Sequence, residues 1–300
     1  NPVVKHKGRD PKVIWYEPGD HWVMAVYDVR DDSKGIAFYT SKDLKDWKYQ
    51  SRIKGYFECP EIFELPVDGD EENTKWVVYA ADAQYAIGEF DGKKFTPDHE
   101  GKHRVHYGKH YASQTYNNAP EGRRIQIGWG RIEMPGMPFN QMMTFPCRLT
   151  LRTTDEGVRM FAKPVRELTS LHKTHHRRRK ETLKAGESLA IPVSGRLFDI
   201  RAEFRATGAS FGLQVGDREV KYDAEKEELA GMPLKPVDGK IRMQILVDRP
   251  SIEVCGNDGR VYLTDEFHHG DVDTITVFSD GTQTELISLD VYELESAWSK

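Results

Sequence analysis

Hydrophobic and polar positions in the first half of the chain alternate over short runs, and turn residues rather than helical spacing separate those runs. One segment carries Arg9-Asp10-Pro11-Lys12-Val13-Ile14-Trp15-Tyr16, a polar turn, then Trp22-Val23-Met24-Ala25-Val26-Tyr27. A second repeats the pattern: Glu58-Cys59-Pro60-Glu61-Ile62-Phe63-Glu64-Leu65, an acidic turn from Asp68 to Asn73, then Trp76-Val77-Val78-Tyr79-Ala80. A weaker third copy runs Ala112-Ser113-Gln114-Thr115-Tyr116, turns through Pro120-Glu121-Gly122, and continues Arg124-Ile125-Gln126-Ile127-Gly128-Trp129. The copies recur about every 50 residues, the spacing of one four-stranded propeller blade. Further strands are predicted at Ile36 to Thr40 and at Gln84 to Phe90, the latter closed by Asp91-Gly92. No long helical pattern interrupts them, so the first half reads as about three blades.

After Thr150 the pattern changes. Phe161-Ala162-Lys163-Pro164-Val165-Arg166-Glu167-Leu168 reads as a connector, and His175-His176-Arg177-Arg178-Arg179-Lys180 as a solvated linker or an exposed strand edge rather than a polyanion site. Short alternating strands then recur at Leu197 to Phe204, Ser210 to Val215, Ile241 to Val247, Ser251 to Cys255, Ile275 to Phe278 and Leu286 to Leu294, with a turn at Gly256-Asn257-Asp258-Gly259. That pattern predicts a two-sheet sandwich whose core takes Phe198, Phe204, Phe211 and Tyr292. The expected organisation is an all-β chain: a partial propeller over 1–160, a linker over 161–180 and a C-terminal β-sandwich over 181–300.

Composition narrows the partners. The chain is 30% charged with a net charge of −5, which gives no reason to expect nucleic acid. No apolar run approaches the ~20 residues of a membrane helix, and the start at Asn1 has no basic-then-apolar signal pattern. Cys59, Cys147 and Cys255 are odd in number and lack metal-ligand spacing, and His175 and His176 are adjacent, so neither a metal nor a cofactor is implied. Redox compartment and oligomeric state stay open.

Candidate chemistry comes from the repeat. Aligned on their prolines, the first two copies set Asp10 opposite Cys59 and Arg9 opposite Glu58, at the head of each blade's first strand. First strands line a propeller's channel, so Asp10 and Glu58 are expected to converge there. A single carboxylate at a strand end is ordinarily a solvated or turn-capping group. Two at equivalent places, each held near a proline, weaken that reading.

At these residues the sequence resembles glycoside hydrolase family 32, the invertases, levanases and inulinases, whose blades carry Arg-Asp-Pro and Glu-Cys-Pro motifs. The resemblance extends through Thr40-Ser41-Lys42-Asp43-Leu44-Lys45-Asp46-Trp47, Tyr111-Ala112-Ser113-Gln114-Thr115, Leu246 to Val254 with Asn257-Asp258-Gly259, and Leu289 to Leu294. It implies a five-bladed propeller followed by a sandwich, and retaining hydrolysis of β-fructofuranosidic bonds in levan, inulin or sucrose. Glu58 matches the general acid/base, and Asp10 the residue that binds fructosyl hydroxyls and stabilises the transition state. Arg9, Cys59, Tyr111 and Trp129 are the candidate substrate-binding residues. Trp15, Trp47 and Trp129 read equally as inter-blade core, which is the preferred expectation, and Cys59 equally as an inert thiol.

A carboxyl facing other carboxylates in a recess is expected to titrate high, which suits a proton-carrying Glu58. The chemistry alone would make Asp10 the nucleophile. The family instead places the nucleophile in a Trp-Met-Asn-Asp-Pro-Asn-Gly motif, which these 300 residues do not contain. The expectation is therefore a chain short of two blades and of the nucleophile, with a catalytically silent fructan-binding remnant as the alternative. Arabinan or xylan hydrolases of neighbouring families are disfavoured by the sandwich signature. An extracellular or periplasmic location follows from the resemblance alone.

Overall fold

The computed structural model of the chain describes residues 3–5, 7–208, 210–281 and 283–298. The fold is all-β, propeller blades followed by a β-sandwich, and its helical segments among the described residues are short 3-10 turns such as Glu17–Gly19 and Asn257–Gly259. No helix among them is long and apolar enough to cross a membrane. The chain divides into two compact units: Asn1–Val105 with Tyr111–Trp129 and Leu149–Met160, and His106–His110 with Gly130–Arg148 and Phe161–Lys300.

The first unit is built of blades. Strands Gly8–Tyr16, His21–Arg30, Ser33–Ser41 and Lys48–Lys54 pair antiparallel in chain order. Glu61–Val67, Asp70–Tyr79, Gln84–Phe90 and Phe95–Pro97 repeat that order. A third set follows with His110–Thr115, Arg124–Gly130, Cys147–Thr154 and Gly157–Pro164. Two hairpins have turn residues suited to their twist. Asp31-Asp32 and Asp68-Gly69 all take positive φ, the two-residue turn that matches right-handed strands.

The near-continuous apolar run His21–Arg30 is explained by burial on both of its faces. Val23 and Ala25 pack with Ile36, Phe38, Ile62, Val78 and Phe90. Met24 and Val26 point the other way, to Ala37 and Tyr39, with Trp47 partly buried against them. Each large apolar side chain so buried contributes on the order of 1.5–3 kcal/mol, which ties the two blades into one body.

In the second unit, a seven-stranded sheet runs His106–Gly108, Val261–Glu266, Ser251–Gly256, Lys240–Asp248, Phe198–Arg205, Thr284–Leu294 and His172–Leu183. A six-stranded sheet runs Ser188–Gly195, Val272–Asp280, Ser210–Val215, Arg218–Asp223, Glu228–Leu229 and Met232–Pro233. Alternate residues Phe198, Ile200, Ala202 and Phe204 face Phe211, Leu213 and Val215 across a shared core.

Residues 172–180, expected as a linker or an exposed strand edge, are the latter: they belong to the 12-residue edge strand His172–Leu183, whose Arg177 and Arg179 pair with Asp290 and whose His176 ring bonds Glu293 on the neighbouring strand. Two expectations are corrected here. Tyr292 is not a core residue. It lies half-buried between the rings of His172 and His175, with centroids 3.9 and 4.3 Å away. A register shift between Glu203 and Phe204 changes the inward parity from Leu286 to Leu289 and Val291, turning Tyr292 outward. Finally, His106–His110 and Gly130–Arg148, expected among the blades, belong to the second unit.

Candidate active site

The three first strands share one backbone device. Asp10, Cys59 and Ala112, which occupy equivalent places in the three repeats, have φ of 60°, 39° and 47°. Left-handed backbone at a non-glycine residue costs on the order of 1 kcal/mol and persists only where the surroundings hold it. In the first blade the kink coincides with a register shift between Arg9 and Lys12. In the second, Glu58, itself at φ 52°, and Cys59 lie in the bend just before strand Glu61–Val67. The Ala81 N–H donates to the carbonyls of Phe57 and Glu58, both at 3.1 Å, and its own carbonyl accepts from Ala112 N–H at 2.9 Å.

The kinks gather the side chains that precede them. Arg9, Glu58 and Tyr111 each stand one residue before their kink, and they form one hydrogen-bonded group. Arg9 Nη2 donates to Glu58 Oε1, and Tyr111 Oη donates to Glu58 Oε2 at 2.5 Å. Both oxygens of Glu58 are thus engaged. Asp10 joins the group from the same strand as Arg9, its Oδ2 lying 3.8 Å from Arg9 Nε. That oxygen also accepts from Cys59 N–H at 3.2 Å and from Cys59 Sγ–H at 3.6 Å.

These contacts set the electrostatics. Burial works to raise the Glu58 carboxyl, but the hydrogen bonds from Tyr111 and Arg9, with the Arg9 charge, outweigh it and hold the group below its ordinary value. The expectation of a high-titrating Glu58 is overturned, because the groups that touch the carboxyl are a guanidinium and a phenol rather than carboxylates. Burial and the neighbouring Asp10 push the Cys59 thiol up to about 12, so it remains a protonated donor.

Aromatic rings flank the group. Trp129 meets Tyr111 edge-on, with centroids 6.0 Å apart at 72°, and the Arg9 guanidinium lies 5.1 Å from the centroid of Tyr27. Trp15 and Trp129 are each 40% exposed, so neither is the core residue expected, whereas Trp47 packs against the Met24 cluster. Four participants escaped the sequence reading: Tyr27, Gln114, whose Nε2 donates to the Cys59 carbonyl at 3.3 Å, and the ion pair Lys12–Glu61. The pair had a readable signal, since Lys12 and Glu61 stand 49 residues apart, as Arg9 and Glu58 do.

A groove of about 730 Å³ lined by Tyr16, His21, Lys42, Asp46, Asp91 and Lys93 contains none of these groups. Among the described residues no cluster of three or more His, Cys, Asp or Glu side chains is arranged to hold a metal ion.

The fold and these side chains define a propeller-and-sandwich protein with two acidic groups brought together at the heads of consecutive blade strands. The chain belongs to glycosyl hydrolases family 32: the model of the family's N-terminal domain matches residues 1–164, and that of its C-terminal domain residues 165–293. It is 33% identical to a levanase of Bacillus subtilis, over 88% of this chain and 47% of the levanase. It is 28% identical to an extracellular exo-inulinase of Aspergillus ficuum, over 97% of this chain and 65% of the inulinase. In structure it resembles the exo-inulinase of Aspergillus awamori with a TM-score of 0.85 at 26% identity, covering 99% of this chain and 71% of that one. The chain thus spans roughly half to two-thirds of the length of these curated relatives.

Proposed function

We propose that this chain carries the acid/base and ring-binding half of a retaining β-fructofuranosidase site acting on levan, inulin or sucrose. The observation that carries the reading is the convergence of Arg9, Glu58 and Tyr111 from equivalent places in three blades, with Asp10 beside them. The names of the levanase and inulinase relatives support the substrate class, and the word extracellular in the inulinase name supports secretion.

Glu58 is the general acid/base and Asp10 the carboxylate that binds fructosyl hydroxyls as positive charge develops on the ring. Delivering a proton requires freeing one Glu58 oxygen from its donors. The side chain of Arg9 is 56% exposed, so a sugar hydroxyl can compete for it, while Tyr111 keeps Oε2 oriented. Loss of the Arg9 contact removes a cation and a hydrogen bond from the carboxylate, and both changes favour the protonated acid. In the second half-reaction the same carboxylate serves as base toward water, and the phenol of Tyr111 stabilises that charged form. Cys59 holds Asp10 oriented, and Trp129 with Tyr111 offers an apolar wall to the sugar.

The engagement of both Glu58 oxygens by Arg9 and Tyr111 favours a second reading, a fructan-binding module without turnover. Fructose release from levan, inulin and sucrose separates the two, with Glu58→Gln as the control. Release that depends on Glu58 supports the enzyme, whereas fructan binding lost in Asp10→Asn without any release supports the module. Neither binding nor release would overturn both.

A further inference from the structure

Behind the candidate site lies a buried charge that the proposed reaction does not use. The Glu61 side chain has no exposed surface, and Lys12, 12% exposed, donates to its Oε1 at 2.8 Å. Thr115 donates to it twice, from N–H at 3.1 Å and from Oγ1 at 2.8 Å. Lys12 Nζ also reaches the Thr115 carbonyl at 3.4 Å, and Arg124 Nη1 donates to Thr115 Oγ1 at 3.3 Å. Three polar residues from the two other blades, Lys12, Thr115 and Arg124, therefore gather around one carboxylate.

Their places in the strands give the cluster its meaning. Lys12 is the residue at which regular pairing resumes after the Asp10 kink, opposite Ala25. Glu61 is the first residue of its strand after the Glu58-Cys59 bend, and Thr115 is the last of the strand that carries Tyr111. The cluster joins the three first strands within four residues of the side chains that meet at Glu58. An uncompensated buried carboxylate is expensive, so Glu61 holds its three donors, and the strands that carry them, at fixed separations.

We infer that Glu61 is a positioning residue: with Lys12 and Thr115 it forms a strut that fixes the three blades in the register at which Arg9 and Tyr111 both reach Glu58. Glu61 touches no reacting atom and acts only through Glu58. This inference rests on the reading of Glu58 as the acid/base, and it adds a residue that sets how tightly that carboxyl is held.

The test is the titration of Glu58, followed by carbon NMR of the 300-residue protein carrying carboxyl-labelled glutamate and assigned with Glu58→Gln. Wild type is compared with Glu61→Gln, Lys12→Met and Thr115→Val. The sign in Glu61→Gln decides between two causes. Removing a negative charge would by electrostatics alone lower the Glu58 midpoint, whereas loosening the strut weakens the donors at Glu58 and raises it. The expected result is a rise in proton affinity of about tenfold, with a smaller rise in Thr115→Val, which keeps both charges and guards against Glu61→Gln failing to fold. Asp68→Ala is the control, since Asp68 links Thr153 at the far end of the Glu61–Val67 strand through bonds of 2.9 and 2.6 Å. It should lower stability and leave Glu58 unmoved. A lowered or unchanged midpoint in Glu61→Gln, an unchanged one in Thr115→Val, or an equal rise in Asp68→Ala overturns the inference. The titration is read without turnover, so failure of hydrolysis would count against the fructosidase reading and not against the strut.

Discussion

Arg9 and Glu58 hold the same place in consecutive repeats, 49 residues apart, and are ion-paired to each other. Two further rungs have the same spacing: Asp10 accepts from Cys59, and Lys12 pairs with Glu61. Each blade-one residue thus touches its own equivalent in blade two. Adjacent blades repeat one strand geometry around an axis, so equivalent positions are brought near one another, and divergence between the copies supplies complementary groups.

The Arg9 and Tyr111 contacts predict how Glu58 responds when they are cut. In Tyr111→Phe the carboxyl loses a donor to its charged form, so its titration moves to higher pH. For an active enzyme, the basic limb of the kcat/KM profile, where the acid loses its proton, moves to higher pH with it. On the plateau of the profile turnover should fall by roughly tenfold, less than the ~100-fold or more of losing the acid itself, because Tyr111 also orients the carboxyl. A pH–rate profile of Tyr111→Phe beside wild type checks both.

Cys59 should be unreactive despite its partial exposure. With its thiol pushed up to about 12, the thiolate is scarce at pH 8, and full burial raises the Cys147 thiol well above its ordinary value. Iodoacetamide at pH 8 should label neither in the native protein and all three cysteines in denaturant, read by mass spectrometry. Native labelling of Cys59 at the rate of a free thiol would show that the Asp10 contact is absent.

The kink at Ala112 should discriminate between side chains. Ala112→Gly should stay within about 0.5 kcal/mol of wild type, since relief of positive φ offsets the added freedom of the unfolded chain. Ala112→Val, β-branched at φ 47°, should cost at least about 2 kcal/mol. Urea denaturation of the two variants measures the difference.

The sandwich carries a pH-dependent stability of unusual sign. Burial pushes Glu253 up to about 8, against hydrogen bonds from Tyr262 Oη at 2.6 Å and Phe145 N–H at 3.1 Å. A carboxyl raised on folding binds its proton more tightly in the native state. Its contribution is full below the unfolded value near 4.5 and is lost as pH rises toward 8, by up to about 1.4 kcal/mol per pH unit. Glu253→Gln, which stays neutral, should flatten this decline, so its Tm relative to wild type should rise between pH 5 and 8. A constant difference across that range would place the Glu253 proton elsewhere.

Much of this was legible in the sequence because period-two alternation and turn residues record which face of a strand is buried. The strands at Ser210–Val215 and Arg124–Gly130, and the approach of Arg9, Asp10 and Glu58, follow from pattern and repeat register. What escaped is what pattern does not encode. A bulge beside Phe204 reversed the parity that would have buried Tyr292. His172–Leu183 was legible only as far as linker or exposed strand edge, because its charge erases the alternation, and it is a strand because Thr284–Leu294 supplies the pairing and the carboxylates. The Glu58 environment was misjudged because composition lists the nearby charges and not the ones in contact.

The most direct test of the account is fructose release from levan, inulin and sucrose by the protein that carries these 300 residues, wild type beside Glu58→Gln and Asp10→Asn. The account predicts release that falls by roughly a hundredfold or more in each variant, the scale of losing a general acid or an electrostatic stabiliser. Release unaffected by Glu58→Gln, or none from any fructan alongside cleavage of arabinan or xylan, would contradict it.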